Sequence, residues 1–450
     1  MDQETITQNL IVKAVDLTHD GLGVVRLEDG YTVFVENMLK GEVASIEITE
    51  RRKKFGFGKV VEFIQKSPFR LVPKCKHFDE CGGCRLMHMD YDVQIQFKKY
   101  RLELMMKKLN QDPSLVDDII CMVNPYYYRN KVEIKFAQGE KGIKAGFFRA
   151  KSHHVVDLNE CYTMGKKSFE LLTLIKNVCN ELGIKAYNPE DETGILKSCV
   201  IRESTRNKEI VILLNLAKDS FEQEAAFVEK ISTKSLLVKG IGVVNAQDES
   251  TYSSDEIRLI YGKGFLNEEL LGINFEIGFR SFFQVNTIQT ERLYNKAMEY
   301  ARLKKKDKVI DAYCGIGSIA LSLAKKVYKV FGIEVISSAI TDAKKNAEIN
   351  GIRNAFFEAG NVESVIQKWK KYKFDCVFVD PPRKGCSKAF LNTLLNMKVE
   401  KIVYISCNPA TLTRDLEFLI KGGYSVKGVT PVDMFPQTQH VESVTLLTLN

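Results

Sequence analysis

The last third of the sequence alternates between apolar strands and helical segments, and this alternation restricts the fold more than any other feature. The strands are predicted over 308–313, 329–334, 375–380 and 401–406. Helices fit between them, near 318–326, 337–349 and 410–421. Such alternation is typical of a doubly wound parallel sheet. A final strand, 441–449, is expected to form an antiparallel hairpin with a strand near 424–429. We therefore predict a Rossmann-like domain over 281–450.

The first 68 residues have a different pattern, with about five short strands separated by turns. Strands at this spacing predict a small, OB-like β-barrel of the oligonucleotide-binding type. Four cations and an aromatic residue lie between the last two strands: Arg51, Arg52, Lys53, Lys54 and Phe55. Cations of this kind pair with phosphates and aromatic rings stack on bases, which makes the hairpin a candidate RNA contact. A solvated basic hairpin without a ligand is the alternative.

Residues 69–280 are predicted to form a central α+β domain that begins with a cysteine-rich loop. Strands are expected over 132–136 and 209–214, and an amphipathic helix over 94–109. With 450 residues, 45% of them hydrophobic and 27% charged, the chain suits about three soluble domains. A cytoplasmic setting is expected, because no apolar run would cross a bilayer and the N-terminus lacks a secretory signal. A monomer is expected, since no feature of the sequence indicates a protein partner. The net charge of +8 permits a polyanionic partner without requiring one.

The turn after the first Rossmann strand indicates a nucleotide-like cofactor. Gly315 and Gly317 would let the backbone approach a ligand where a helix begins, and Glu334 ends the next strand, where it can accept hydrogen bonds from a ribose diol. The same pattern occurs in NAD sites and in S-adenosylmethionine sites. Asp311, four residues before the first glycine, and the Asp380-Pro381-Pro382 turn favour the methyl donor.

Three reactive side chains are expected to meet at one edge of this sheet. Asp380 and Cys407 follow neighbouring parallel strands, and Glu442 opens an antiparallel one. A thiolate that adds to C6 of uracil makes C5 nucleophilic towards a sulfonium methyl group, and a base must then remove the C5 proton. Cys407 suits the first step and Glu442 the second, with His440 as a rival base. The alternatives are a buried small thiol and a solvated carboxylate.

The remaining cysteines divide into two groups, since eleven in 450 residues are too sparse for a disulfide scaffold. Six are predicted to be small buried hydrophobes: Cys121, Cys179, Cys199, Cys314, Cys376 and Cys386. Four form a candidate metal site: Cys75, Cys81 and Cys84 in the loop, with Cys161 as the fourth ligand. Four thiolates suit zinc and iron–sulfur clusters alike, and unliganded loop thiols are the alternative. His77 and His88 are expected at the surface.

Together these motifs resemble the RNA 5-methyluridine methyltransferases. The matching segments are Asp311-x-x-Cys314-Gly315-x-Gly317, Phe282–Asn286, Asp380–Arg383, Ser406–Pro409 and His440–Glu442. The resemblance implies that Cys407 is the nucleophile and Glu442 the base, and that Phe282 stacks on a flipped uracil. It also implies that further residues contact the methyl donor or the target base: Gln284, Tyr313, Gly315, Glu334, Asn361, Asp380 and Arg383. Ser318 departs from the family pattern, in which asparagine is common.

The resemblance extends to the N-terminal half of the chain. The barrel resembles the TRAM fold, and the Cys81-Gly82-Gly83-Cys84 core resembles family members that hold a [4Fe–4S] cluster, with zinc as the second choice. Relatives with both features act on large-subunit ribosomal RNA, so the expected product is 5-methyluridine in 23S-type ribosomal RNA. A tRNA T-loop uridine is the first alternative, and a non-catalytic ribosome-assembly factor the second. The resemblance also implies that 94–123 packs on the catalytic domain.

Overall fold

The computed structural model describes residues 9–150, 152–245, 256–369 and 372–450. Residues 1–8 lie outside the described residues. The expectation that the N-terminus lacks a secretory signal rests on this segment. Within the described ranges, no helix combines the length and the apolar character needed to cross a membrane.

The N-terminal strands close into a five-stranded barrel in the order β1-β2-β3-β5-β4, with β4 paired to β1. Their bounds are β1 Leu10–Leu17, β2 Gly23–Arg26, β3 Thr32–Glu36, β4 Val43–Arg51 and β5 Phe55–Gln65. Alternate residues point inwards, so Val33, Val35, Ala44 and Ile46 are fully buried in the barrel core. The predicted small barrel is confirmed.

Helix α1 (Tyr91–Lys108) joins the barrel region to the C-terminal sheet. Asp90 caps the helix by accepting a hydrogen bond from the Asp92 backbone N–H at 2.9 Å. Leu102, Met105 and Met106 pack into the hydrophobic core of the C-terminal sheet, whereas the opposite face packs beside the barrel. Lys98 is fully buried and forms an ion pair with Asp433 at 2.6 Å. A 3-10 turn over Pro113–Leu115 follows the helix.

The central region is built on a seven-stranded sheet in the order β12-β11-β10-β9-β6-β7-β8. The strands are β6 Lys131–Gly139, β7 Gly142–Phe148, β8 Val155–Asp157, β9 Leu196–Glu203, β10 Ile210–Leu216, β11 Val238–Val244 and β12 Arg258–Gly262. Helices α2 (Lys166–Glu181) and α3 (Glu224–Lys234) pack on it. The hairpin of β13 (Phe265–Leu270) and β14 (Ile273–Gly278) leads into the C-terminal region.

The C-terminal sheet has seven strands in the order β17-β16-β15-β18-β19-β21-β20. The strands are β15 Lys308–Ala312, β16 Lys329–Glu334, β17 Ala355–Ala359, β18 Cys376–Val379, β19 Lys401–Ser406, β20 Tyr424–Val432 and β21 Glu442–Leu449. The helices are α4 Thr287–Ala301, α5 Ser318–Ala324, α6 Ser337–Ile349, α7 Val362–Lys368, α8 Lys388–Met397 and α9 Pro409–Lys421. The predicted doubly wound, Rossmann-like sheet and its antiparallel C-terminal hairpin are confirmed.

The strand directions bring several chain segments to one edge of this sheet. Strands β15 to β19 run parallel, so their carboxyl ends share an edge. Strand β21 runs antiparallel to β19 and starts at that edge. Because Ser406 pairs with Ser443, the next position of each strand places Cys407 opposite Glu442. The fold therefore sets these two residues side by side although 35 positions separate them in the sequence.

Candidate active site

A cavity of about 790 Å³ opens at the carboxyl edge of the C-terminal sheet. All ten residues that the sequence assigned to catalysis, the cofactor or the target base at this edge line it: Phe282, Gln284, Tyr313, Gly315, Glu334, Asn361, Asp380, Arg383, Cys407 and Glu442. Ser318 and His440 line it as well. The sheet edge therefore collects one contiguous set of reactive and polar groups.

The glycine-rich turn between β15 and α5 forms one end of the cavity. Tyr313, Gly315 and Gly317 have positive φ angles of 68°, 52° and 85°, which bend the chain sharply before the helix. Glu334 accepts hydrogen bonds from the backbone N–H groups of Gly315 at 3.2 Å and Ile336 at 3.0 Å. These contacts hold the Glu334 carboxylate at the cavity edge, where it can bind a diol.

Asp380 and Glu442 are acidic groups held in largely desolvated positions. Burial raises the pKa of Glu442 to about 8, and the charge of Asp380 adds to the effect while Arg383 opposes it. Burial also raises the pKa of Asp380 to about 7, partly offset by Gln284, whose Nε2 donates to Asp380 Oδ2 at 3.5 Å. Asp380 is exposed only in part, at the cavity that it lines. Both carboxyls can therefore exchange protons near neutral pH.

Cys407 is half-buried and faces the same two carboxyls. Burial raises the pKa of its thiol to about 11, and the charges of Glu442 and Asp380 raise it further while Arg383 lowers it. With this raised pKa, the thiol is protonated at neutral pH. It must lose its proton before or during any attack on a substrate, and carboxylates that can accept a proton stand beside it.

The turn after Cys407 is fastened to the Asp-Pro-Pro-Arg turn. Asn408 caps α9 by accepting from the Ala410 N–H at 3.0 Å, and its side-chain Nδ2 donates to the Arg383 carbonyl at 3.1 Å. Pro409 starts the helix, where its missing N–H costs nothing. The sequence Ser406–Pro409 thus fixes the thiol relative to Arg383.

Two further residues line the cavity without belonging to any of the sequence motifs: Tyr294 and Phe435. The Tyr294 hydroxyl lies 2.9 Å from Ser318 Oγ, so the serine that departs from the family pattern still makes a hydrogen bond. Phe435 contacts the His440 ring, with the centroids 6.0 Å apart. Burial lowers the pKa of His440 to about 4, which keeps its imidazole neutral at pH 7. An aromatic residue shortly before the His440–Glu442 motif was the only sequence signal for Phe435.

The basic hairpin of the barrel forms a separate surface that does not line the cavity. Arg51, Arg52, Lys53 and Lys54 are all exposed at the β4–β5 turn. The Arg52 guanidinium lies 5.4 Å from the Phe55 ring centroid and 5.2 Å from that of Phe57. Such a pairing of cations with accessible rings suits a phosphate backbone and its bases.

The four predicted ligand cysteines line one small pocket of about 50 Å³. Cys75, Cys81 and Cys84 come from the loop between β5 and α1, and Cys161 comes from the loop between β8 and α2. Burial raises the pKa of Cys75 to about 11 and that of Cys84 to about 12, and the negative charge of Cys161 adds to both. No group of three or more His, Cys, Asp or Glu side chains in the described ranges has the geometry of a metal site. A four-thiol donor set nevertheless surrounds one cavity.

The predicted surface position of His88 is wrong. The residue is 1% exposed and packs on Phe78 at a ring distance of 5.2 Å, and neither ring nitrogen has a hydrogen-bond partner among the described residues. It lies between Met87 and Met89, two buried residues of the tight turn before α1, where the chain passes between the barrel and the helix. His77 is half-buried, with Nε2 2.9 Å from Asn159 Oδ1.

Five of the six cysteines predicted to be buried are so: Cys179, Cys199, Cys314, Cys376 and Cys386. The prediction is wrong for Cys121, which is half-buried. Its segment runs beside β20 without joining a sheet core, through isolated bridges such as that from Ile120 to Val432.

The Rossmann-like sheet and its glycine-turn cavity, with a barrel at the N-terminus, define a methyltransferase with a nucleic-acid-binding module. Residues 90–450 match the family model for tRNA (uracil-5-)-methyltransferase, and residues 4–61 match the TRAM domain. The chain belongs to the tRNA (uracil-5-)-methyltransferase family, whose members are S-adenosylmethionine-dependent RNA methyltransferases.

Whole-length relatives agree with this family. A protein of Bacillus cereus named "Uncharacterized RNA methyltransferase" is 41% identical over 436 residues, which cover 96% of this chain and 95% of that protein. A similarly named protein of Oceanobacillus iheyensis is 42% identical over 440 residues, with 96% and 95% coverage. The crystal structure of Pyrococcus abyssi tRNA (uracil-54, C5)-methyltransferase with S-adenosyl-L-homocysteine superimposes with a TM-score of 0.77 at 28% identity, covering 98% of this chain and 100% of that one.

Proposed function

We propose that this protein forms 5-methyluridine in 23S-type ribosomal RNA through a covalent bond between Cys407 and C6 of the target uracil. The observation that carries the proposal is the placement of Cys407 opposite Glu442, beside Asp380, in the cavity that also contains the glycine turn. A nucleophile, a base and a donor site within one enclosed space are what methylation of an unactivated carbon requires.

The side chains at the glycine-turn end of the cavity fit S-adenosylmethionine. Glu334 would hold the ribose hydroxyls, and Tyr313, Gly315 and Asn361 would flank the nucleoside. When bound, this cofactor supplies an electrophilic methyl group on a sulfonium. Gln284 and Asp380 form a hydrogen-bonded pair between this end and Cys407, where they would orient the donor or the target base.

Cys407 and Glu442 would carry the two halves of the chemistry. The Cys407 thiol loses its proton and forms a bond from Sγ to C6, and the electron pair of the C5=C6 double bond moves towards C5. C5 then takes the methyl group, and the electron pair of the S–CH3 bond that breaks would stay on the donor sulfur, which leaves as a neutral thioether. The Glu442 carboxylate removes the proton left on C5, and the electron pair of that C–H bond restores the C5=C6 double bond as the C6–S bond breaks.

The target base must leave the RNA stack to reach Cys407, because neighbouring bases cover both faces of a stacked base. Phe282 is 68% exposed at the cavity, so its ring is available to stack on a flipped uracil. Arg383, in the turn bonded to Asn408, lies close enough to Cys407 and Glu442 to act on their charges and is placed to contact the base or its phosphate.

We assign a [4Fe–4S] cluster to the cysteine pocket, because four thiols drawn from two loops line it. Cys75, Cys81, Cys84 and Cys161 would hold the cluster, with zinc as the second choice. Methyl transfer moves no net electrons, so the cluster would fasten the two loops together or support RNA contacts. Iron and sulfide analysis of anaerobically purified protein should give about four irons per chain. Stoichiometric zinc without sulfide would overturn the cluster assignment.

Ribosomal RNA is favoured by the combination of barrel and cysteine loop, and the second candidate is a tRNA uridine. The Pyrococcus enzyme that matches this chain over its whole length is named for uracil 54 of tRNA. We expect 5-methyluridine to disappear from 23S ribosomal RNA, and not from tRNA, in cells that lack this gene. Purified protein should methylate unmodified 23S transcripts in preference to tRNA transcripts. Loss from tRNA alone would establish the second candidate.

A further inference from the structure

Three tyrosines form a ring cluster on the surface beside the cysteine pocket. We call Tyr126, Tyr127 and Tyr162 the tyrosine platform. The ring centroids are 6.4 Å apart between Tyr126 and Tyr127, 6.0 Å between Tyr126 and Tyr162, and 5.7 Å between Tyr127 and Tyr162. Tyr127 is 36% exposed and the other two are half-buried. The platform therefore presents aromatic surface to solvent in one continuous patch.

Two exposed lysines lie over these rings. The ammonium nitrogen of Lys74 is 4.5 Å from the Tyr126 ring centroid, and that of Lys166 is 4.8 Å from the Tyr127 centroid. Within the described part of the chain, neither lysine forms an ion pair with a carboxylate. Their positive charges are thus available to an anion, and the flexible side chains can swing from a ring face to a phosphate.

The backbone of Tyr127 holds this arrangement in a conformation that aromatic residues rarely adopt. Its φ is 58°, in the left-handed region, and its N–H donates to the Tyr162 carbonyl at 2.7 Å. Such a conformation is strained and persists where the surroundings determine it, frequently at binding sites. Tyr162 also lines the cysteine pocket, but Tyr127 does not. The exposed ring of Tyr127 is therefore not explained by a role in covering that pocket.

The platform lies beside the cysteine pocket, and the residue that follows Tyr127 contacts the segment at the rim of the reaction cavity. Tyr128, the next residue, is buried and its hydroxyl donates to the Pro436 carbonyl at 3.0 Å. Pro436 follows Phe435, which lines the reaction cavity. This contact links the segment that carries the platform to the segment that lines the cavity, so an RNA strand that follows this surface brings the nucleotides beside the target base to the platform.

We propose that the tyrosine platform binds an unpaired segment of the RNA substrate, with bases stacked on its rings and phosphates paired to Lys74 and Lys166. The proposal rests on the proposed function, since it assumes an RNA substrate with a target uridine that leaves its helix. Base–aromatic stacking tolerates any sequence, so the platform would select single-stranded RNA over duplex rather than a particular base.

Anisotropy titrations of the purified full chain, without methyl donor, test the platform. The probes are a fluorescein-labelled oligouridylate of about 12 nucleotides and an RNA duplex of about 12 base pairs. Tyr127→Leu should weaken binding of the single strand about tenfold, the effect of losing one stacked base, and leave duplex binding unchanged. Tyr127→Phe, which keeps the ring at the same strained position, should bind like the unaltered protein.

A matched control comes from the opposite edge of the C-terminal sheet. Tyr328 is 53% exposed, and the ammonium of Lys329 lies 5.3 Å from its ring, yet it precedes β16 at the end away from the cavity. Tyr328→Leu should leave both affinities unchanged. Equal single-strand affinity for Tyr127→Leu and Tyr127→Phe would refute the platform, as would equal losses for single strand and duplex.

Photocrosslinking tests the platform in the unaltered protein, so its result does not depend on whether a variant folds correctly. An oligonucleotide carrying 5-iodouridine should crosslink to peptides that contain the platform tyrosines, and crosslinks confined to other peptides would refute the proposal. Because neither experiment needs methylation, their failure would leave the proposed function standing. Conversely, a chain that binds through the platform but methylates no RNA would refute the proposed function alone.

Discussion

The reaction cavity and the cysteine pocket both gather thiols and polar groups from distant parts of the sequence, but they are held together differently. In the cavity, Cys407 and Glu442 extend from a continuous ladder of paired strands, with Ser406 opposite Ser443. In the pocket, Cys81 and Cys161 belong to two loops joined by side-chain hydrogen bonds, such as that between His77 Nε2 and Asn159 Oδ1 at 2.9 Å. The hydrogen bonds of the sheet hold the reaction cavity in place without a ligand. In the cysteine pocket, where loops carry the thiols, a bound metal would supply much of the cross-linking between the loops.

The largest expected effect is the loss of the nucleophile from the cavity. Cys407→Ala should reduce methylation about 10⁴-fold or more, since removal of a covalent nucleophile has effects of this order. Thermal unfolding should stay nearly unchanged, because the strand ladder does not depend on the thiol. Cys376→Ala, in β18 of the same sheet, is the matched control and should stay active. Substantial methylation by Cys407→Ala would exclude covalent catalysis by this residue.

Replacement of the proposed base should stop the reaction one step later. Glu442→Gln should lower kcat by about 10²- to 10⁴-fold, the usual contribution of a general base. The methylated RNA should then remain attached to Cys407, because its C5 proton is retained. Denaturing gels of the variant with RNA and methyl donor measure this species. A slow variant with no attached RNA would assign proton removal to another group, with His440 the nearest candidate.

The difference between paired strands and loops also explains which site residues could be predicted from the sequence. The positions of Asp380, Cys407 and Glu442 could be predicted because parallel strands end at one sheet edge, a rule of topology that needs no contacts. Tyr294 and Phe435 could not be, since their place in the cavity depends on how α4 and the 433–441 turn pack. His88 was mispredicted for a related reason: a polar residue in a loop looks exposed until the barrel and α1 close around it.

The buried Glu442 carboxyl of the cavity predicts a pH dependence with a definite sign. Folded Glu442 keeps its proton up to a pKa of about 8, against an ordinary value of 4.5, so kcat/KM should rise with pH towards 8 by up to about tenfold per unit. Between pH 4.5 and 8 the folded state binds more protons than the unfolded state, and Glu442 therefore lowers stability as pH rises. Thermal unfolding at pH 5 and pH 8 should show a smaller loss for Glu442→Gln than for the unaltered protein. An equal loss of stability in Glu442→Gln and in the unaltered protein would contradict the raised pKa of Glu442.

The smallest effect on chemistry is expected from the cysteine pocket. Cys84→Ser should release the proposed cluster and lower the unfolding temperature by at least about 5 °C, since a structural metal contributes its binding energy to folding. Affinity for S-adenosyl-L-homocysteine should change less than about twofold, because the strand ladder of the cavity is intact. Cys121→Ser, half-buried and outside both sites, is the control. A loss of donor affinity in Cys84→Ser would show that the two sites are not independently held.

The central claim, a covalent bond between Cys407 and the target uracil, is tested most directly with RNA that carries 5-fluorouridine at the target position. After methyl transfer, C5 bears fluorine in place of the proton that Glu442 would remove, so the Cys407–C6 bond should persist. The account predicts a complex that survives denaturation, requires the methyl donor, and maps to the peptide containing Cys407. A protein that methylates the ordinary RNA but forms no such complex with the fluorinated RNA would contradict it.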